Sequence, residues 1–319
     1  MKSIEEAEIK EGTKVFVRVD WNVPVDEVGV PLDVSRIEAT LQTIEYIKNK
    51  GGVPVIASHF GREGDSIEPV INFAKSRYII LAEGVEFLEN LRIDKREEAN
   101  DEDFAKELAM KAEIYVNEAF SVSHREHASV ALVPKLLPHF AGFRFLEEYQ
   151  KLSQAFDPEH PFLFILGGAK FETKLPLVER FLEIADDVFI GGALAVKASE
   201  TEFANNSKII FPIGDLSALD ANPETLEILK EKIKVAKFIL WNGPLGNYEK
   251  NFIAGTVALA RMLAESEAKI ILGGGDTLTL LKPEIKDNIS SHGFISTAGG
   301  AMLDFLAKGT LPGIEALRN

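Results

Sequence analysis

The sequence predicts an α/β protein with two lobes, each a parallel sheet flanked by helices, joined by a helical hinge. First, short β-branched and aromatic runs alternate with longer amphipathic segments along the chain. Second, the short runs are apolar throughout, which is typical of parallel strands buried on both faces. Third, a chain of 319 residues is long enough for two domains of about 150 residues each.

The predicted elements follow one another in strand–helix order. Seven runs are predicted as buried strands: residues 14–19, 53–57, 114–116, 162–166, 187–190, 237–241 and 269–272. Five amphipathic segments between them are predicted as helices: residues 36–50, 101–111, 174–182, 223–233 and 252–264. We expect the Gly299-Gly-Ala301 turn to open the last helix. Several strands end in glycine or a polar cluster, and open α/β sheets bind ligands at those ends.

A helical connector is predicted near the middle of the chain. Residues 143–156 carry apolar side chains at 143, 146, 149 and 152, which lie on one helical face. Prolines 158 and 161 then stop the helix. We therefore predict two Rossmann-like lobes with these limits: an N-terminal lobe over 1–142, the connecting helix over 143–156, a C-terminal lobe over 157–300, and a segment over 301–319 that returns to the N-terminal lobe.

Composition excludes several classes of function. The chain has 35 Lys and Arg against 50 Asp and Glu, a formal charge of −15, which disfavours nucleic acid and anionic membranes as partners. It has no cysteine, which excludes disulfides, thiolate catalysis and cysteine-ligated metals. Residues 1–10 are acidic and lack the apolar stretch of a signal peptide, and no run approaches a membrane span. We expect a cytoplasmic monomer.

Cations in the first half cluster at predicted strand ends and in loops. Each one alone is typical of an ordinary surface cation, but five loops offering arginine or histidine favour a site for one small polyanion. The cations are Arg18, Arg36, His59 with Arg62, Arg92, and those of the segment His124-Arg125-Glu126-His127. Arg18 lies next to two further polar residues, Asp20 and Asn22.

Glycine turns follow strands in the second half. Glycine there lets backbone N–H groups and helix N-termini approach phosphates, although a single glycine pair is common in any tight turn. The turns are Gly167-Gly-Ala-Lys170 with Lys174 one turn later, Gly191-Gly-Ala193, Trp241-Asn-Gly-Pro-Leu-Gly246 and Gly273-Gly-Gly-Asp-Thr277. Asp276 is a candidate magnesium ligand beside a polyphosphate. The chain lacks the P-loop, dinucleotide, nucleophile-elbow and zinc-protease motifs.

At these residues the chain resembles the phosphoglycerate kinase family from end to end. The first-half strings are Arg18-Val-Asp-Trp-Asn-Val-Pro24, Arg36-Ile37, Ala57-Ser-His-Phe-Gly-Arg62, Glu89-Asn-Leu-Arg92 and Val116-Asn-Glu-Ala-Phe120 with His124-Arg125. The second-half strings are Gly167-Gly-Ala-Lys-Phe-Glu-Thr-Lys174, Gly191-Gly-Ala193, Trp241-Asn-Gly-Pro244 with Glu249, Gly273-Gly-Gly-Asp-Thr277, Ser296-Thr297 with Gly299-Gly300, and Leu311-Pro-Gly-Ile314.

The resemblance implies reversible transfer of the acyl phosphate of 1,3-bisphosphoglycerate to Mg-ADP, giving 3-phosphoglycerate and ATP, a step of glycolysis and gluconeogenesis. It implies that hinge closure brings the two halves together. The triose-phosphate site would comprise Asp20, Asn22, Arg36, His59, Arg62, Arg92 and Arg125. The nucleotide site would comprise Gly167, Lys174, Gly191, Asn242, Glu249, Gly273, Gly274, Gly275, Asp276 and Thr277. Arg36 and Lys170 would act on the transferred phosphoryl group, and Asp276 would hold Mg²⁺.

The chain departs from the family pattern in four places. It is shortened between Arg62 and Glu89 and again between Gly192 and Asp220, where residues 193–219 replace a longer segment near the expected adenine pocket. Glu118 stands where aspartate is usual, and Ala298 where the family has glycine. The methyl group of Ala298 would crowd its turn if the turn required a positive φ.

Two alternatives stay open at this point. A non-catalytic two-lobed nucleotide- and phosphate-binding protein on the same fold would bind both ligands without forming ATP. A nucleotide-sugar or dinucleotide-dependent enzyme would use the glycine turns, but it has no use for the cations of the first half.

Overall fold

The computed structural model describes residues 1–318, which form two compact units. Unit 1 comprises Met1–Tyr149 together with the C-terminal residues from Thr310 onward, and unit 2 comprises Gln150–Gly309. The lobe limits inferred from the sequence remain a prediction. Within residues 1–318, no helix combines the length and apolar character needed to cross a membrane.

Unit 1 contains a five-stranded parallel sheet in the order β3-β2-β1-β4-β5. Its strands are β1 Lys14–Arg18, β2 Val53–Ala57, β3 Glu86–Phe87, β4 Ile114–Asn117 and β5 His139–Ala141. Its α-helices are α1 Ser35–Asn49, α2 Glu68–Arg77, α3 Glu102–Ala109, α4 Val133–Leu136, the first turns of α5 Phe143–Ser153 and, at the C-terminal end, α13 Pro312–Glu315. Arg18 pairs in register with Ala57 and with Asn117, so three strands end at the same level.

Unit 2 contains a six-stranded parallel sheet in the order β11-β10-β9-β6-β7-β8. Its strands are β6 Phe162–Leu166, β7 Asp187–Ile190, β8 Ile209–Ile210, β9 Phe238–Asn242, β10 Lys269–Gly273 and β11 Phe294–Ser296. Its helices are α6 Phe171–Ile184, α7 Ala193–Ser199, α8 Pro223–Val235, α9 Ala254–Ala264, α10 Gly275–Thr279, α11 Pro283–His292 and α12 Gly300–Lys308.

Each unit has its own apolar core around its central strands. In unit 1, Val15, Val17 and Val116 pack with the buried face of α1. In unit 2, Ile239 and Trp241 belong to a separate cluster packed with α8 and α9. The central strands β1 and β9 each pair with a neighbouring strand on both sides and pack against helices, which explains why their middle residues are apolar.

The longer predicted elements are confirmed with small changes at their ends. All seven predicted strands and all five predicted helices are present, the helix predicted over 174–182 being longer, at Phe171–Ile184. Elements without a predicted counterpart are the short strands β3, β5, β8 and β11 and several helices of ten residues or fewer. The Gly299-Gly-Ala301 turn opens a helix as expected, since Gly299 is the N-cap of α12, but this helix is not the last, because α13 Pro312–Glu315 follows it.

The turn at Ala298 carries no strain of the anticipated kind. Gly299, one residue later, takes the positive φ of +57°, while Ala298 is buried outside that region of backbone conformation. The methyl group therefore occupies a position that any L-residue can adopt.

Glu118, directly after β4, forms hydrogen bonds that hold the start of α5 in place. Its carboxylate accepts a hydrogen bond from the backbone N–H of Phe145 (3.0 Å) and one from the Thr43 hydroxyl. A Cβ on Gly142 would lie 2.3 Å from the Glu118 carboxyl carbon, so only glycine leaves room for this contact. Burial raises the pKa of Glu118 to about 7, partly offset by hydrogen bonds from Thr43 and the backbone.

We predict that Glu118 makes unit 1 less stable as the pH rises. The folded protein holds this proton more tightly than the unfolded chain, so this group's contribution to stability is full below pH 4.5. It is lost progressively as the pH rises through about 7, by up to about 3 kcal/mol. Urea unfolding of wild type and Glu118→Gln at a series of pH values between 4 and 8 measures this effect.

In Glu118→Gln this component of the pH dependence should be absent, since an amide does not titrate. Glu45→Gln, the same change at an exposed position of α1, is the matched control and should keep the wild-type dependence. Wild-type and Glu118→Gln curves that stay parallel from pH 4 to 8 would contradict the prediction.

Candidate functional site

Polar residues of the first half of the chain gather at one edge of the sheet in unit 1. Asp20 follows β1, His59 follows β2, and Ser121 follows β4 by a few residues. Because the strands are parallel and end in register, their following loops meet at the same edge.

Asp20 lies at the centre of this edge and is nearly buried. Its carboxylate pairs with Arg36 (Nη1 to Oδ2, 2.8 Å), accepts a hydrogen bond from the Ser121 hydroxyl, and lies 3.8 Å from Nε2 of His59. Burial would raise the pKa of Asp20, but the pKa is lowered overall, with the positive charges of Arg36 and Arg18 and the Ser121 hydrogen bond opposing the effect of burial. The group is therefore an ionised carboxylate that holds Arg36 in place.

His59 is buried and neutral. Burial, together with the positive charge of Arg18, lowers its pKa to about 3. Nη2 of Arg18 lies 3.4 Å from Nδ1 of the imidazole. A neutral imidazole can present one N–H donor to a ligand without adding a further charge to the cluster.

The remaining predicted residues surround the same edge. Asn22 binds the loop after β2 through its side-chain oxygen (Gly61 N–H, 2.9 Å) and accepts from Arg36 through its carbonyl (3.1 Å). Arg92 donates to the Gly61 carbonyl (2.8 Å) and pairs with Glu98 (3.0 Å).

Two arginines of this set, Arg62 and Arg125, are exposed. Arg125 and Arg92 are close enough to His59 to lower its pKa, which brings them to the same cluster. The side chain of Arg62 is exposed on the loop that Asn22 holds, and its backbone N–H donates to Asp65 (2.7 Å). The structure thus brings all seven predicted residues of the first half to one edge, with Arg62 and Arg125 at its surface.

In unit 2, glycine turns pack against one another at the ends of β6 and β9. The Gly167 N–H donates to the Asn242 carbonyl (2.9 Å) and the Gly168 N–H to the Pro244 carbonyl (2.8 Å). A Cβ on Gly243, which has a φ of +93°, would lie 2.2 Å from the Gly167 carbonyl oxygen. Glycine is required here both by backbone conformation and by space.

Lys174 reaches back from α6 into these turns. Its ammonium group is mostly buried and donates to the Gly167 carbonyl (2.6 Å). Burial lowers the pKa of Lys174 to about 8, opposed by Asp276 and reinforced by Lys170. An ammonium group held here by few protein acceptors is ready to bind an added anion.

The end of β10 contributes a third group of polar atoms. Asn242 donates through Nδ2 to the Gly273 carbonyl (3.0 Å), and Gly274 has a φ of +112° that suits the tight turn into α10. The buried hydroxyl of Thr277 has no hydrogen-bond partner among residues 1–318. No heavy atom lies within 4 Å of the position that a Cβ on Gly275 would occupy.

Asp276 is exposed in the first turn of α10 and close enough to Lys174 to affect its pKa. The Tyr248 hydroxyl donates to the Asp276 carboxylate, which raises the pKa of Tyr248. Glu249 is exposed in the adjoining turn. The structure therefore groups Lys174, Asn242 and residues 273–277, with Glu249 beside Tyr248 at the margin.

Lys170 is exposed, directly before α6, and Gly191 lies at the end of β7. A small pocket of about 20 Å³, room for about one water molecule, lies beside Gly191 and is lined among others by Gly192, Pro212, Leu216 and Leu245. Part of this wall comes from residues 193–219, the segment that replaces a longer one in the family.

Three polar residues of unit 1 that support the site were not predicted. The Ser121 hydroxyl donates to Asp20. Asn90 accepts a hydrogen bond from the Phe60 N–H (2.8 Å) and donates one to the Asp65 carbonyl (2.6 Å), and these two bonds stabilise the loop after β2. Glu97 is fully buried near Arg18. Asn90 lies inside the Glu89-Asn-Leu-Arg92 string, which is the one sequence signal that pointed to it.

Fold and site define a class: α/β proteins of two units, one with a cation-rich sheet edge and one with glycine turns around a buried lysine. The protein-family model for phosphoglycerate kinase matches residues 4–78, 80–202 and 195–309 of the chain. The chain belongs to the phosphoglycerate kinase family.

Relatives and solved structures agree over nearly the whole length. Phosphoglycerate kinase of Leptospira biflexa is 34% identical over 391 residues, covering 98% of this chain and 97% of that protein, and that of Finegoldia magna is 33% identical over 385 residues, with 96% of each covered. Both alignments are longer than the chain, so the shortening is internal. The structure of the Coxiella burnetii enzyme gives a TM-score of 0.86 at 28% identity, covering 99% and 98% of the two chains. The structure of the Pyrococcus horikoshii enzyme gives a TM-score of 0.82 at 27% identity and covers 100% of this chain and 98% of that chain.

The predicted family, the two-lobed α/β fold class and the enzyme class, a phosphotransferase, are confirmed by these comparisons. They favour the kinase over the non-catalytic alternative. Use of ADP or ATP as co-substrate follows from the family.

We predict that Gly243→Ala destabilises unit 2 by at least about 2 kcal/mol, because it adds left-handed backbone strain to a collision with the Gly167 carbonyl. Urea unfolding measures the change. Gly300→Ala is the matched control: nothing lies within 4 Å of its Cβ position and its φ is not positive, so its free energy of unfolding should stay within about 0.5 kcal/mol of wild type. Equal stability of the two variants would show that the turn does not need glycine at 243.

Proposed function

We propose that this chain catalyses the reversible transfer of the acyl phosphate of 1,3-bisphosphoglycerate to ADP, giving 3-phosphoglycerate and ATP. The observation that supports it most is that the cations of the family motifs gather at one edge of the sheet in unit 1, while the glycine turns of those motifs follow strands of the sheet in unit 2. The cation cluster also argues against a dinucleotide enzyme, which would have no use for it. The glycolytic role, the cytoplasmic location and the monomeric state stay predictions from the sequence.

The edge of unit 1 is proposed to bind the three-carbon substrate. Its phosphate and carboxylate are anions, and arginine pairs with both in bidentate fashion. The Asp20 carboxylate keeps Arg36 fixed before substrate arrives, so less side-chain entropy is lost on binding. Neutral His59 supplies a hydrogen-bond donor, and Asn22, Arg62, Arg92 and Arg125 complete the set.

The turns of unit 2 are proposed to bind the nucleotide. Gly167 and residues 273–277 offer backbone approach to the phosphates, and Lys174 offers a buried positive charge. The unpartnered Thr277 hydroxyl is available to a phosphate oxygen or to a water of a bound cation. Glu249 is proposed to bind the ribose hydroxyls, and Gly191 to contact the nucleotide.

The residues around Asp276 fit a magnesium ion bound together with nucleotide. Among residues 1–318 there is no group of three or more His, Asp or Glu arranged to hold a metal by themselves. Mg²⁺ bound with nucleotides usually takes only one or two carboxylates and completes its shell with phosphate oxygens and water. Asp276 is one exposed carboxylate beside the phosphate-binding turns, and the ion would neutralise charge on the phosphates.

The chemistry requires positioning and charge rather than an acid or base. A loose phosphoryl transition state spreads negative charge over three oxygens, and cations placed there lower its energy. The acceptor, an ADP oxygen or a carboxylate, carries no proton to remove. This agrees with a cluster in which His59 is neutral and Asp20 is already paired. Arg36 and Lys170 are proposed to contact the transferred group.

A coupled assay in the ATP-consuming direction tests the proposal. With 3-phosphoglycerate and Mg-ATP, formation of 1,3-bisphosphoglycerate is followed as NADH oxidation by glyceraldehyde-3-phosphate dehydrogenase. We expect turnover that requires both substrates and magnesium. Binding of nucleotide and 3-phosphoglycerate by calorimetry without turnover would instead support the non-catalytic alternative.

We predict that Arg36→Ala and Lys170→Ala each lose about 2.7–4 kcal/mol of transition-state stabilisation, a decrease in kcat/KM of roughly 100- to 1000-fold. Each variant removes one positive charge proposed to contact the transferred group. Lys230→Ala, which removes an exposed lysine on α8, is the control and should retain wild-type kinetics. Near-normal turnover in both variants would refute the assignment.

We predict that Asp276→Asn raises the magnesium concentration required for half-maximal activity by about tenfold or more, because a neutral amide binds Mg²⁺ more weakly than a carboxylate. Asp287→Asn, the same change at an exposed position of α11, should leave the magnesium titration unchanged. A wild-type magnesium titration for Asp276→Asn would exclude a role of this carboxylate in binding the ion.

A further inference from the structure

A buried polar chain in unit 1 leads from the predicted substrate edge into the protein. Its far end is Glu97, whose side chain is fully buried and lies outside the set predicted from the sequence. One Glu97 oxygen accepts from the Ser129 hydroxyl (2.5 Å) and the other from the Ser129 backbone N–H (2.9 Å). The Ser129 hydroxyl in turn accepts from Nε of Arg18 (2.8 Å).

Arg18 is the middle of this chain and is also fully buried. Its Nη1 donates to the Val19 carbonyl (2.5 Å) and its Nη2 faces Nδ1 of His59 (3.4 Å). Burial lowers the pKa of Arg18, and Glu97 opposes that effect more than any other neighbour. A buried guanidinium with three directed contacts has one orientation, set by Ser129 on one side and His59 on the other.

The orientation of Arg18 determines which nitrogen of His59 carries the proton. Arginine has only donors, so Nδ1 of His59 must accept and therefore carries no hydrogen. The single N–H of the neutral ring is then at Nε2, the atom that faces Asp20 at 3.8 Å. That distance is too long for a hydrogen bond, so the N–H is available to a ligand oxygen at the substrate edge.

We infer that Glu97 is a positioning residue for substrate binding: through Ser129 and Arg18 it holds His59 as the Nε2–H tautomer that donates to the three-carbon substrate. The inference rests on the proposed function for the identity of that substrate. Glu97 itself touches no substrate, since it acts through two intervening side chains. It also lies 3.9 Å from Nδ1 of His127, whose pKa burial lowers to about 4, so this neighbour is neutral as well.

The tautomer is measured first, on the free wild-type protein. Long-range ¹H–¹⁵N correlation spectra distinguish the Nε2–H and Nδ1–H forms of each histidine, and His59→Gln identifies the signals of His59 by their loss. We expect the Nε2–H form at pH 7. An Nδ1–H form would overturn the inference whether or not the protein is a kinase, because Arg18 cannot accept that proton.

Glu97→Gln then tests the role of the carboxylate. We expect the signals of His59 to move away from the pure Nε2–H pattern and KM for 3-phosphoglycerate to rise about tenfold or more. KM for ATP should stay unchanged, because the proposed nucleotide site belongs to unit 2. Glu102→Gln makes the same change at an exposed position five residues along and should behave as wild type in all three measurements.

A purely structural role of Glu97 gives a different result. Loss of folded protein lowers the apparent kcat and leaves both KM values and the His59 signals unchanged, and this outcome would overturn the inference. Ser129→Ala removes only the bridging hydroxyl and tests the same chain if Glu97→Gln does not fold. We expect it to give the same selective increase in KM, whereas wild-type values would contradict the inference. Absence of kinase activity in the wild type would refute the proposed function, and the tautomer comparison would still decide the role of Glu97.

Discussion

Parallel strand pairing is the constraint on which both candidate sites depend. In each unit the strands run the same way, so the loops that follow them meet at one edge of the sheet. In unit 1, β1, β2 and β4 end in register, and this brings Asp20, His59 and Ser121 together from segments far apart in sequence. In unit 2, β6, β9 and β10 bring Gly167, Asn242 and Gly273 together in the same way. A shift of register by one residue would move these groups to different levels and faces.

The two edges are proposed to bind anions through different chemistry. Unit 1 places charged side chains there, and their repulsion is compensated by carboxylates: Asp20 for Arg36, Glu98 for Arg92, and Glu97 near Arg18. Unit 2 uses backbone N–H groups and glycines, with Lys174 as its one buried charge in the described residues. The first solution suits a small ligand with two charged ends, and the second suits a polyphosphate that needs close contact with the backbone.

The sequence was sufficient for the long elements and for the grouping of the site residues. Strands such as Phe162–Leu166 are apolar at every position and buried throughout. Helices such as Ser35–Asn49 have apolar residues at helical spacing, and the structure buries that face. The short strands Glu86–Phe87 and Ile209–Ile210 have two residues each and no pattern to detect, because their pairing partners alone define them. Glu97 and Ser129 were missed for a related reason. Burial of a glutamate between Arg18 and His127 depends on contacts across the fold, and a charged residue in an acidic stretch looks like a solvated one.

This protein is proposed to form an acyl phosphate from ATP and 3-phosphoglycerate at these two sets of residues. Incubation with ATP labelled at the γ-phosphorus, 3-phosphoglycerate and magnesium, followed by hydroxylamine, tests this claim directly, because hydroxylamine converts an acyl phosphate to a stable hydroxamate. We expect hydroxamate and labelled inorganic phosphate in equal amounts, both dependent on 3-phosphoglycerate. Release of labelled phosphate without hydroxamate, or no release while both ligands bind, would contradict the claim.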